Sequence, residues 1–119
     1  MRFFRNVYSS GKVRGREKNI RMKLKMGIGL IGVYCIAVPL YGPDPLEIYN
    51  AAVLKQRWYR RSDLLIVGFS DSLMNAELLS GEILSDIYEA RGDYDSRSYF
   101  INGEQDKLLT EASGGEGET

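Results

Sequence analysis

The chain has 119 residues, 44% of them hydrophobic and 27% charged, which suits a single globular domain and argues against a disordered polyelectrolyte. It has no histidine and one cysteine. No Ser-His-Asp or Cys-His catalytic unit, no His- or Cys-based zinc site and no internal disulfide can therefore be built from it.

The sixteen basic and sixteen acidic side chains sum to zero, but the zero is a cancellation. Residues 1–25 carry nine basic side chains against Glu17, a net of +8. Residues 26–42 carry no charge, and residues 43–119 carry seven basic and fifteen acidic side chains, a net of −8. Such asymmetry suggests a basic arm, a targeting segment or a membrane topology.

Residues 1–21 show no apolar periodicity. They read as a flexible basic arm, or as residues upstream of a start at Met22 or Met26. The uncharged run 26–41 admits two readings. As a buried strand it offers the β-branched Ile28, Ile31, Val33, Ile36 and Val38, punctuated at its edges by glycines and Pro39. As a membrane segment it follows a basic stretch that would hold the N-terminus inside, with an acidic domain outside. The run is short of the roughly 20 residues a spanning helix needs. The first reading implies a cytoplasmic protein, the second a membrane-tethered one. Gly27–Gly32 also spells G-x-G-x-x-G. A poor strand precedes it (Met22–Met26), β-branched residues follow it, and Asp44 and Glu47 come too soon, so no dinucleotide or other cofactor is expected.

Gly42-Pro43-Asp44-Pro45 is a turn. Leu46–Leu54 then reads as a strand, Lys55–Arg61 as a loop or exposed strand end, and Leu64–Ser70 as a buried strand. Asp71–Arg91 is the main helix: Ala76, Leu79, Ile83, Ile87 and Ala90 share a face, Ser70, Asp71 or Ser72 can cap it, and Gly92 can stop it. Glu82, Asp86 and Glu89 read as its solvated face. Arg97–Ile101 reads as a further strand, which would complete a β-α-β unit from Leu64 to Ile101. The expected architecture is α/β or α+β: about four strands and one main helix within a single domain, residues 22–103. Residues 104–119 read as an acidic, largely disordered tail with a short helical turn at Asp106–Ala112.

Residues Leu64–Phe100 include Val67-Gly68 at a strand end and the run Asp95-Ser96-Arg97-Ser98-Tyr99-Phe100. With these the stretch resembles short uncharacterised bacterial α/β proteins that carry a V-G strand end, a helix and a D-x-R-x-Y-F close. The resemblance spans about a third of the chain and implies no activity and no site residues.

Two clusters carry candidate chemistry. Arg57, Trp58, Tyr59, Arg60 and Arg61, together with Lys55, place cations around two aromatics. That mixture suits a protein interface or, less well given the acidic remainder, nucleic acid. Gly68, Ser70 and Ser72 lie where a strand passes into a helix, and free N–H groups there can hold a small anion. Asp71 opposes that use. Cys35, inside an apolar run, reads as an inert buried thiol. The expected role is that of a non-catalytic binding protein, acting on a protein partner or on a second copy of itself. The alternatives are a membrane-tethered protein and a small-anion binder.

Overall fold

The computed structural model describes residues 1–39 and 41–102, without the side chains of Arg60 and Asn102. The expected tail, 104–119, lies outside the described residues. Four strands form one mixed sheet: β1 (Arg2–Ser9), β2 (Tyr34–Val38), β3 (Glu47–Asn50) and β4 (Leu65–Ser70), in the spatial order β1-β4-β2-β3. Three helices accompany it: α1 (Glu17–Lys25), α2 (Arg57–Arg61) and α3 (Leu73–Arg91). This is the small α/β architecture with one main helix that the sequence implies.

The two central strands are the most apolar. All six residues of β4 are buried, and so are four of the five in β2. A strand apolar on both faces needs cover on both, and the helices divide to supply it. Ile20 and Leu24 of α1 pack with Cys35, Ala37, Ile66 and Phe69 on one face. Ala76, Leu79, Ile83 and Ile87 of α3 pack with Ile36, Val38, Leu65 and Val67 on the other. Fully burying a side chain of this size contributes about 1.5–3 kcal/mol. A break in the β2/β4 register explains why Ile66 and Phe69 share a face: Ile66 lies opposite Ala37, but Gly68 lies opposite Ile36 and Phe69 opposite Cys35. One extra residue in β4 thus resets the alternation.

Residues 1–21 depart from the expected flexible arm. Arg2–Ser9 forms an edge strand running parallel to β4, Val13 enters the α1-side core, and Phe4 is buried against Phe100 with ring centroids 5.0 Å apart. Glu17–Lys25 then forms α1, so the fold starts well before Met22. The central run behaves as a strand only over Tyr34–Val38, while Ile28 and Ile31 lie on an exposed loop. Gly27 and Gly32 there adopt φ of 76° and 75°, and a strand follows where a dinucleotide fingerprint requires a helix. The membrane reading of 26–41 gains no support, since no helix among the described residues is long and apolar enough to cross a membrane.

The strand expected over Leu46–Leu54 contracts to Glu47–Asn50, where the Asn50 carboxamide oxygen accepts from the Ala52 N–H at 3.1 Å and turns the chain. A 3₁₀ turn (Val53–Lys55) and α2 then replace the expected loop or strand end at Lys55–Arg61. Arg97–Ile101 is not a strand. The Asp95 carboxylate accepts from the Ser98 N–H at 3.1 Å and from its hydroxyl at 2.8 Å, and a π-helical turn follows at Ser98–Asn102. The local cap overrides the strand preference of Tyr99, Phe100 and Ile101. The β-α-β unit expected from Leu64 to Ile101 is therefore absent. The parallel pair is β1 with β4, joined through everything between Ser10 and Leu64.

Candidate functional site

β1 and β4 run side by side in the same direction, and their C-terminal ends meet. From that end the chain after β1 turns to one face, through Val13 to α1, and the chain after β4 turns to the other, into α3. Between diverging connections of this kind open α/β sheets leave a crevice. Here the two connections meet directly, Ser10, Gly11 and Lys12 from the first against Ser70 and Asp71 from the second, with Asn75 beside them.

The polar groups are heavily interlinked. The Ser10 and Ser70 hydroxyls lie 2.9 Å apart, and Ser70 is fully buried. Asp71 reaches across the crevice. Its carboxylate accepts from the Lys12 backbone N–H at 2.9 Å and from the Asn75 side-chain amide at 2.8 Å. Those bonds, the Asn75 bond foremost, hold its carboxyl below the usual carboxylate range. Glu17, at the start of α1, accepts from the Ser9 hydroxyl, which likewise lowers its pKa. Gly11 has φ of 75°, and a Cβ built there would collide with the Asp71 carboxylate. Only glycine allows the two loops to approach this closely.

Of the residues expected to hold an anion, Ser70 and Ser72 stand at this crevice and Gly68 does not. Gly68 lies inside β4, where a Cβ would touch the Ile36 side chain and the Tyr8 carbonyl at 3.4 Å. The Ser72 hydroxyl accepts from the Asn75 N–H at 3.1 Å and so caps α3. Asp71, the residue before this cap, sets a carboxylate beside the helix start, where it repels an added anion. Two ionised carboxylates, Asp71 and Glu17, make the crevice an acceptor-rich place, suited to ligands that donate hydrogen bonds. Ser9, Ser10 and Glu17 escape sequence inspection because they belong to a stretch without periodicity. The signal available is the pair of serine-rich ends, Ser9-Ser10-Gly11 and Ser70-Asp71-Ser72.

The aromatic-cation cluster lies elsewhere, on and around α2. Arg57, Trp58 and Arg61 line an open groove of about 600 Å³ with Tyr41, Ser62 and Asp63. Trp58 is 61% exposed and Tyr41 83% exposed. Tyr59 turns inward and packs edge-on against Tyr49, with ring centroids 5.7 Å apart. Arg60 shares α2 with them.

Other groups have structural work. The Tyr8 hydroxyl donates to Asp86 at 2.6 Å, and burial, then that carboxylate, raises its pKa. Asp86 thus leaves the expected solvated stripe. Cys35 is fully buried, and burial pushes its thiol up to about 12, which keeps the nucleophilic thiolate scarce. Ser96 donates to the Pro45 carbonyl and Arg97 to the Pro39 carbonyl at 2.6 Å, tying the Asp95–Phe100 run to the β2–β3 connection. Among the described residues no group of three His, Cys, Asp or Glu side chains could hold a metal ion. No family model matches the chain, and no curated protein or solved structure shows significant similarity to it.

Proposed function

We propose that this is a small binding protein whose ligand sits in the crevice between the ends of β1 and β4. One observation carries the reading: two adjacent parallel strands send their following helices to opposite faces of the sheet. Ligands of open α/β sheets bind at such points. The acceptors present favour a small molecule with several hydroxyl donors, such as a sugar or nucleoside, over a bare anion. The binding is non-catalytic in this reading, because the crevice holds no nucleophile paired with a base. Titration with a panel of nucleosides, sugars and inorganic phosphate, followed by amide chemical shifts, tests it. Shifts confined to residues 9–17 and 70–75 with a hydroxyl-rich ligand, lost in Asp71→Asn, support it. No response there to any hydroxyl-rich member, or a response to phosphate alone, refutes it.

The exposure of Trp58 and Tyr41 beside Arg57 and Arg61 supports a second reading, a protein interface on the α2 groove. Its test is joint alanine replacement of Arg57, Trp58 and Arg61 followed by recovery of bound partners. Unchanged recovery rules it out. Operation in the cytoplasm belongs to both readings.

A further inference from the structure

Among the described residues, the fold turns part of the charge separation along the chain into a separation across the sheet. The helical elements covering one face, the Gly11–Val13 turn, α1 and α2, carry many cations and the single carboxylate of Glu17, with Glu47, held by the Tyr49 hydroxyl, as a further acid on that side. On the opposite face α3 carries Glu77, Glu82, Asp86 and Glu89 against one cation, Arg91, which pairs locally with Asp93 at 3.0 Å.

Both faces also expose apolar side chains that ordinary helix patterning would hide. On α1 and the loop after it, Met22 is 54%, Met26 63% and Ile31 99% exposed. Met22 and Met26 line an open groove of about 730 Å³ with Lys18, Arg21 and Lys25. On α3, Met74 is 71% and Leu78 68% exposed, one turn apart and flanked by Glu77 and Glu82. A helix apolar on its solvent side as well as its core side calls for a cover.

We infer that the cover is a second copy of this chain, with the α3 face of one molecule seated on the α1 face of the next. Met74 and Leu78 enter the methionine-lined groove, and Glu77 and Glu82 meet Lys18 and Lys25. Pairing like faces, α3 on α3 or α1 on α1, sets equal charges against each other and is disfavoured. The molecule measures 36 × 35 × 28 Å, so its faces can supply the roughly 800 Å² per partner of a standard interface. Because the two surfaces lie on opposite sides of one sheet, the contact is head-to-tail and leaves a free face of each kind at the ends. It extends as an open chain and does not close as a two-fold dimer.

Sedimentation velocity on the full chain tests this. At about 0.01 M salt, where the Debye length is about 30 Å, the weight-average sedimentation coefficient rises with protein concentration and reaches no plateau at dimer. At about 1 M salt, where that length is about 3 Å, it falls to the monomer value. The double variant Lys18→Glu/Lys25→Glu reverses the charges beside the Met22–Met26 groove, and Glu77→Lys/Glu82→Lys reverses those flanking Met74 and Leu78. All four positions are exposed, and far-UV circular dichroism checks that both variants fold. Each variant alone stays monomeric, and their equimolar mixture associates again. A wild-type chain that stays monomeric at low salt overturns the inference. So do variants that associate alone as the wild type does, or a mixture that stays monomeric.

Discussion

Gly11 and Asp71 are coupled through space although 60 positions separate them. An alanine at 11 meets two penalties, a left-handed backbone and a methyl driven into the Asp71 carboxylate. The backbone term alone is about 1–2 kcal/mol. Gly11→Ala is therefore expected to destabilise the protein by about 2 kcal/mol or more, and by less when Asp71→Ala removes the obstructing group. Denaturant unfolding of the two single variants and the double variant measures this, and strict additivity would refute the contact. Asp71 also predicts a pH dependence. Its folded pKa is depressed, so its contribution is present above the unfolded value and is lost as pH falls through the folded one. Unfolding of Asp71→Asn between about pH 5 and pH 2 should lose stability less steeply than wild type. Equal slopes would mean the carboxylate's hydrogen bonds add nothing. None of this coupling is visible in sequence, because a turn glycine and an acid just before a helix are each ordinary where they stand.

At the level of elements, those with strong local signals are legible and those held by tertiary contact are not. Ser72 caps α3 and Gly92, at φ of 78°, stops it, as the residue types imply. β4 and the centre of the apolar run are stretches free of charged side chains that must be buried. β1 hides because an edge strand buries little. Phe4 is its one fully buried residue, and between Phe3 and Tyr8 four residues of β1 stand against one of β4, which erases the period of two. α1 shows only Ile20 and Leu24, a single i, i+4 pair among charges. The importance of β1 can be measured. Phe4→Ala should cost about 3–5 kcal/mol. A chain lacking residues 1–21, stripped of β1 and of Val13 and Ile20 from the core, should give no cooperative thermal transition. A truncated chain that melts as sharply as the full one would show that the N-terminal residues are an appendage after all.

For the molecule as a whole, β4 organises the fold. It pairs with β1 on one side and β2 on the other, contributes to both cores, and ends at the crevice. Its amides should exchange with solvent more slowly than those of β1 and β3, whose outer edges lack a neighbour in the sheet. Comparable exchange rates in β1 and β4 would argue against this central role. The crevice is not legible in sequence, because its two halves lie about 60 positions apart and one belongs to a stretch without periodicity. The β-branched and aromatic character of Arg97–Ile101 favours it as the parallel partner, whereas β1 holds that place.

The division of α1 and α3 between the two sides of the sheet has an electrical consequence as well. With the cations of α1 and the carboxylates of α3 held on opposite sides of the sheet, the described residues carry a permanent dipole. Over an oppositely charged support it turns until the matching side faces the surface, and the repelled side then lies beyond the screening distance at about 0.15 M salt. Near neutral pH it should therefore be retained on both anion- and cation-exchange resins, behaviour that a formal charge of zero would not suggest.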